Sequence, residues 1–334
     1  MVQPVRFAVT YPIVAHPANP ELLTGASVGA VAEALEAAGF GSLGFTDHPA
    51  PTQRWLDAGG HDSLDPFSAM GFAAARTSTL RLIPNIVVLP YYSPFTVAKA
   101  GATLDRLSGG RFVLSVGVGY LKREFAALGV DFDTRAQRFD EALAVIRAIW
   151  TGDDVTVTGE HFNASGITAH PRPVSAPHPP IWIGGNTGSA RRRVAEYGEG
   201  WAPFPAPPGL AKTAGTAALD SLDALRAGIA DLRRRFDIAG RDFTGTDVSF
   251  TNFAGGRPGE PDFDADAYLA FLATELKPFI DAQYRTLTGP SDTFVMGSSM
   301  GGLISAYAVM EFPHVFGGAG CVSTHWPIAG GIVE

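Results

Sequence analysis

The sequence predicts an α/β protein whose parallel sheet is assembled from βα-barrel units, and two observations carry that prediction. Along most of the chain each strand-like run is followed by a segment of helical period, and such alternation is met by parallel pairing rather than by hairpins. The second observation is residues 100–125, AGATLDRLSGGRFVLSVGVGYLKREF, which hold a helix end, a tight turn and a buried strand without interruption. Residues 99–107 place apolar side chains at helical spacing, Ser108-Gly109-Gly110 tolerates the left-handed angles that stop a helix, and 111–118 is a short apolar run. That run ends in Gly117-Val118-Gly119. Glycines at the carboxyl end of a buried parallel strand let a ligand approach the backbone, so a cofactor is expected there.

With 334 residues, 46% apolar and 17% charged, the chain is long enough to bury a cofactor in one large barrel or in two medium domains. A net charge of -8 and a pI near 5.5 argue against nucleic acid or an anionic membrane as partner and favour a small-molecule substrate. Cys321 is the only cysteine, which excludes an internal disulfide and a cysteine-based metal site. No metal is expected. The opening MVQPVRFAVTYPIV lacks the basic flank and apolar run of a secretory signal, and no segment approaches about 18 uninterrupted apolar residues, so a cytoplasmic protein is expected.

Taken in order, 5–13 is the first strand, 27–38 an alanine-rich helix closed by Gly39, and 42–46 the second strand. The second strand runs into Asp47-His48-Pro49, two ionisable side chains where barrel enzymes hold their chemistry. Spacing alone leaves this pair open between a helix-capping aspartate beside a surface histidine and a working pair. Pro66 starts a helix over 67–75, and the third strand, 81–89, is interrupted by Pro84-Asn85, which marks a bulge. A helix over 94–107 leads into the glycine-ended fourth strand. Residues 122–128 form a short helix, and 135–150 a longer one with Phe139, Leu143, Ile146 and Trp150 on one face. Residues 151–180 alternate like a hairpin and are rich in proline, an excursion over the carboxyl face whose His161, His170 and His178 lack ligand spacing. The fifth strand, 181–183, ends in Gly184-Gly185-Asn186-Thr187-Gly188 before a helix over 189–199, a turn that presents free N–H groups to an anion. The Arg191-Arg192-Arg193 run on that helix reads as a solvated face. Strand six (201–204), a long helical region (210–236) and strand seven (248–253) complete the series.

TDH at 46–48, VVLPYYSP at 87–94, ATLDRLSGGRFVLSVGVGYLKREFAALGVDFD at 102–133 and PHPPIWIGGN at 177–186 resemble the bacterial luciferase-like family, and within it the oxidoreductases of the deazaflavin coenzyme F-420. The resemblance covers about residues 5–270 and implies a (β/α)8 TIM-barrel with the cofactor in its carboxyl-terminal mouth. Seven strands are read in this region, so the family's own last βα unit is missing. The resemblance implies that His48 lies beside the cofactor ring as acid–base group, and that Asp47, Asn85 and Ile86 contact the cofactor, the last two across a non-prolyl cis bond. It further implies that Gly117, Val118 and Gly119 line the cofactor tail and that Gly184, Gly185 and Asn186 hold its phosphate. The chemistry implied is hydride transfer between F-420, or alternatively FMN, and a small organic substrate, with an imidazole of ordinary pKa about 6.5 handling the proton. A homodimer is also implied.

Residues 268–334 resemble an internal fragment of an esterase-type α/β-hydrolase, through AYLAFLATELKPFIDAQYRTL and DTFVMGSSMGGLISAYAVMEFPHVFGGAGCVSTHW. Gly297-Ser298-Ser299-Met300-Gly301 sits between a strand and an apolar helix, the setting of a nucleophile elbow with Ser299 as nucleophile and the Met300 N–H as oxyanion donor. The triad order is Ser, then Asp or Glu, then His. No Asp follows Ser299; Glu311 is on the departing helix, Glu334 is terminal, and His314 and His325 are the available histidines. The chain therefore reads as a composite, a luciferase-like barrel over 1–265 and a hydrolase fragment over 266–334. The fragment's strand 293–296 and helix 302–310 are themselves a βα unit, expected to close the barrel as strand eight. The alternatives to an oxidoreductase are a serine hydrolase using Ser299 and a catalytically inactive fusion.

Overall fold

The computed structural model describes residues 6–250, 265–283, 288–298 and 300–322. The chain divides into two compact units, residues 5–251 and residues 252–334 with 1–4. The first unit begins with β1 (Ala8–Thr10), α1 (Gly25–Ala37), β2 (Ser42–Gly44), α2 (Gln53–Asp57), α3 (Pro66–Arg76), β3 (Arg81–Leu82), β4 (Val87–Val88), α4 (Pro94–Ser108) and β5 (Leu114–Gly117). It continues with α5 (Lys122–Ala127), α6 (Arg135–Thr151), β6 (Val155–Thr158), β7 (Asn163–Ile167), β8 (Ile181–Gly184), α7 (Gly188–Tyr197), β9 (Gly200–Ala202), α8 (Pro208–Ala214), α9 (Leu222–Ile238) and β10 (Asp247–Val248).

Apart from the antiparallel hairpin β6–β7, every ladder is parallel: β1-β2-β3 in one sheet and β4-β5-β8-β9-β10 in the other. A parallel bridge from Leu82 to Phe112 joins the two. β3 and β4 are the halves of the expected third strand, parted by the expected bulge at 83–86. Asp247, opening β10, pairs with Arg81 at 3.4 Å and Arg6 at 3.8 Å, drawing the amino ends of the first, third and last strands of this unit together. Leu43, Leu82, Leu114, Val116, Ile181 and Trp201 are fully buried on these strands.

Local sequence explains the helices that position the strands. α4 starts at Pro94 and stops at Gly109 and Gly110, both at positive φ (68° and 87°), with the Gly110 N–H returning to the Asp105 carbonyl. The expected face of α6 is buried throughout, and the Trp150 indole donates to the Ala98 carbonyl of α4 at 2.8 Å. The excursion after α6 is pinned by buried Asp105, which accepts from the Val174 N–H, the Ser175 N–H and the Ser175 hydroxyl. One expectation is corrected: the long helix over 210–236 is two helices. Gly215, at φ 61°, caps α8, and the Ser221 hydroxyl accepts the Ala224 N–H to start α9 afresh.

The second unit holds α10 (Ala265–Phe271), which passes through a π-helical turn at 272–276 into α11 (Lys277–Gln283), then β11 (Phe294–Ser298), α12 (Met300–Glu311) and β12 (Gly318–Val322). Leu269, Ala273, Ala308 and Phe316 form its own small core. Strand and helix flank position 299 as an elbow requires, while Ser299, His325 and Glu334 lie outside the described residues, as does the expected end of strand seven beyond residue 250. Strand 293–296 was expected to pair as strand eight; its described ladder is with β12, in a two-stranded parallel sheet. The reason is local, since α12 returns the chain so that 318–322 offers a partner at short loop-closure cost. No described helix is long and apolar enough to cross a membrane.

Candidate active site

The site is built where the barrel strands end. Two residues past Phe45, the buried Asp47 carboxylate accepts the Val88 N–H at 2.8 Å and the Tyr92 hydroxyl at 2.6 Å, so it ties the end of β2 to the end of β4. His48 is anchored through its backbone: its N–H donates to the Ser63 hydroxyl oxygen, and that hydroxyl donates to the His48 carbonyl, both at 3.1 Å. Its ring lies against Trp55 (centroids 4.5 Å apart) and meets His61 edge-on at 5.2 Å.

The His48 Nδ1 is 3.3 Å from the Glu124 carboxylate. Glu124 is buried on α5 and also accepts the Ala50 N–H and the Tyr91 hydroxyl, each at 2.9 Å. Burial works against its ionisation, but the donors His48, Ala50 and Tyr91 outweigh it and hold the carboxyl below the ordinary glutamate range. An ionised Glu124 accepts from Nδ1–H and so leaves the ring's lone pair on Nε2, which among the described residues has no hydrogen-bond partner. Burial, reinforced by the neighbouring carboxylates, pushes the Tyr91 and Tyr92 phenols up, so both remain donors.

Asp47 titrates in the opposite sense to Glu124. Burial raises its carboxyl to about 6, against the pull of the Tyr92 and Val88 hydrogen bonds. A folded pKa above the unfolded value of about 3.9 gives a stabilising contribution that is complete below pH 4 and disappears as pH rises through 6. On the acid side, Asp231 is held at about 2 by Arg235 and Arg191 despite burial, and Glu36 at about 2 by the Thr79 N–H and hydroxyl and neighbouring amides. Their contributions are present above the unfolded carboxylate range and vanish as pH falls toward 2. Thermal unfolding followed against pH is therefore expected to give its highest midpoint between about pH 4 and 6. The decline from pH 5 to 7 should flatten in Asp47→Asn; an unchanged decline would remove Asp47 as its source.

The other sequence candidates fall into two groups. The Asn85–Ile86 bond is cis, the Asn85 amide donates to the Thr10 hydroxyl at 2.9 Å, and the Ile86 side chain turns into the space left by two glycines. A Cβ on Gly117 would lie 2.1 Å from Ile86 Cδ1, and one on Gly184 would lie 2.9 Å from it. Gly119, at φ 75°, is likewise filled from outside, by Val88 and Phe125. Packing against Ile86, Val88 and Phe125 thus gives these glycines a structural reason. Asn186 is committed as well: its amide donates to the Phe204 and Ala217 carbonyls and its oxygen accepts the Phe204 N–H, while its backbone carbonyl accepts from Arg191. Arg191 also grips Asp231 at 2.6 Å, and Arg193, expected on a solvated face, is buried against Asp140 at 2.6 Å.

Glu124, Trp55 and His61 did not emerge from sequence reasoning. A signal for Glu124 was present, because it shares the helical face of Leu121, Phe125 and Leu128, and a carboxylate at such a position has to be paired. Among the hydrolase candidates within the described residues, Glu311 ends α12 and His314 is exposed beside the Phe312 ring.

Parallel strands in chain order with ionisable side chains at their carboxyl ends define a barrel enzyme fold. The sequence profile of the luciferase-like monooxygenases matches residues 6–273, and the chain belongs to that family. An esterase family profile matches residues 248–329. An F-420-dependent glucose-6-phosphate dehydrogenase from Nakamurella multipartita is 32% identical over 240 residues, 70% of this chain and 65% of the relative. Another, from Beutenbergia cavernae, is 37% identical over 172 residues, 50% of this chain and 48% of the relative. An FMNH(2)-dependent dimethylsulfone monooxygenase from Pseudomonas putida is 35% identical over 129 residues, 37% of this chain and 35% of the relative. The chain spans between about a third and two thirds of the length of these curated relatives. Among solved structures, a monooxygenase from Streptomyces bottropensis superposes with TM-score 0.63 at 20% identity, over 97% of this chain and 94% of that one. The coenzyme F-420-dependent tetrahydromethanopterin reductase of Methanopyrus kandleri gives 0.57 at 18%, over 74% and 65%. These two share the fold.

Proposed function

We propose that this chain is an oxidoreductase of the luciferase-like type that uses coenzyme F-420, or alternatively FMN, to oxidise or reduce a small organic substrate. The barrel, taken as residues 1–265, carries the activity and 266–334 is an esterase-like addition. The observation that supports the reading is His48, held by Glu124 through Nδ1, backed by Trp55 and left with Nε2 uncommitted at the carboxyl end of β2. When bound, a deazaflavin or flavin supplies hydride transfer at its ring. The chain's part is to present Nε2 for the proton that accompanies the hydride, to keep Asp47 and Glu124 locked behind it, and to offer the Trp55 ring, with His61 edge-on to it, as an aromatic wall. At the far end, with the Asn186 and Arg191 side chains already engaged, a cofactor phosphate would be met by the first backbone N–H groups of α7. A homodimer, which the family likeness implies, and a cytoplasmic setting belong to the same proposal.

The test is a fluorescence titration of the purified chain with F-420 and, separately, FMN, repeated on His48→Ala. Saturable binding of one of them, retained in the variant while turnover falls by about 10²-fold or more, is the expected result. A folded chain that binds neither would end the oxidoreductase reading.

A further inference from the structure

We propose that a cleft of about 220 Å³ beside the candidate site, bounded by Thr52, Tyr120, Lys122, Arg123, Glu124 and Thr213, seats an oxyanion group carried by the substrate, so that the substrate class is a small anionic organic molecule. The proposal rests on the oxidoreductase reading of the same site. Charge favours such a ligand. In a chain of net charge -8, Lys122 and Arg123 are adjacent and exposed, and among the described residues neither forms an ion pair. Several arginines of this unit are by contrast tied down: Arg191 and Arg235 on Asp231, Arg193 on Asp140, Arg241 on helix-end carbonyls. Two neighbouring cations repel, and a bound oxyanion relieves that repulsion.

Position favours such a ligand as well. Glu124 bounds the cleft and holds His48 at 3.3 Å, and Thr52, also on the cleft, accepts the backbone N–H of Trp55, whose ring lies against His48. A group seated in the cleft is therefore separated from the His48 ring by the Glu124 side chain. Lys122 and Arg123 also border a second cleft, but that one carries Asp131 and Asp133, and there the Lys122 ammonium stands 5.7 Å from the Phe132 ring centre. The first cleft is bounded by a single carboxylate, Glu124, whose side chain is buried and whose oxygens are engaged by His48, Ala50 and Tyr91, whereas the second exposes two that repel an oxyanion, which assigns it to the first cleft. Arg123 offers a planar fork and Lys122 a point charge, and the Thr52 hydroxyl, which accepts the Trp55 N–H, still has its proton to donate. The volume is below the several hundred Å³ that enclose a whole drug-sized ligand, so the cleft takes one end of a molecule whose reacting carbon reaches toward His48.

Inorganic phosphate is the probe. Calorimetric titration at constant ionic strength is expected to show saturable binding to the intact chain, about tenfold weaker in Arg123→Gln and lost in Arg123→Gln with Lys122→Gln, while F-420 and FMN affinities change less than about twofold. Circular dichroism checks that the variants fold. Phosphate isotherms that are the same in the unsubstituted chain and the double variant would overturn the proposal. So would a loss of cofactor affinity in step with phosphate, which would assign the two cations to the cofactor's own anionic tail. If neither cofactor binds but phosphate binding still depends on Lys122 and Arg123, the anion cleft stands and the oxidoreductase reading fails.

Discussion

Replacing Glu124 by glutamine is expected to lower turnover with the binding cofactor by about a hundredfold while leaving cofactor affinity within a few-fold, because the residue positions a proton without touching the cofactor. The carboxylate accepts three donors at once, from Ala50, Tyr91 and His48. An amide of the same shape has one accepting oxygen and a donating NH₂ group. If the NH₂ faces Ala50, two donors oppose each other in a buried site. If it faces His48 and Tyr91, Nδ1 has to become the acceptor, and the ring proton moves to Nε2, the atom the chemistry needs as a proton acceptor. The nitrogen chemical shifts of His48 should report that tautomer change, and a merely structural role would not produce it. Stability should fall by about 1–3 kcal/mol, the cost of leaving a buried donor unmet. A glutamine variant with undiminished turnover and an unchanged tautomer would show that Nδ1 is not set by Glu124.

What was legible in the sequence divides along local and non-local lines. The strand series could be read because the central strands β2, β4, β5, β8 and β9 are buried on both faces and write short apolar runs, closed by punctuation such as Ser108-Gly109-Gly110. Asp47-His48 could be read because two ionisable residues ending such a run are out of place unless they work or are paired. The 210–236 region misled because its alanines keep helical spacing across Gly215, and only the positive φ there shows the stop. β12 was missed because GAGCV, at 318–322, has too little bulk to read as a strand. Asn186 resembled a phosphate ligand in a glycine turn, yet its amide is spent on carbonyls 18 and 31 residues away, which no local pattern displays. At Gly117 and Gly184 the sequence told that no side chain could stand there, but not that Ile86 takes the room.

That last distinction can be measured, and it yields the largest expected effects on stability. Gly44→Ala should be severe, because its Cβ would lie 2.3 Å from the Ile83 carbonyl oxygen. That atom belongs to backbone held in register by the Ile83 N–H to Leu43 carbonyl bond, so it cannot withdraw without opening the β2–β3 ladder. A loss of about 3 kcal/mol or more in denaturant unfolding is expected. Gly71→Ala on α3 is the counter-case, with nothing within 4 Å of the new Cβ, and should stabilise by about 0.5–1 kcal/mol through helix propensity. Gly117→Ala falls between. Its obstacle is Ile86 Cδ1, the far end of a side chain, and Ile86→Val deletes that atom. Alone, Gly117→Ala should cost about 1–3 kcal/mol and Ile86→Val about 0.5–1.5 kcal/mol, and the pair should cost clearly less than their sum. If the glycine serves packing only, the double variant will also bind F-420 or FMN as the unsubstituted chain does. If stability recovers and cofactor binding does not, a ligand as well as Ile86 needs the open face of Gly117, and the strand end is part of the cofactor's cradle.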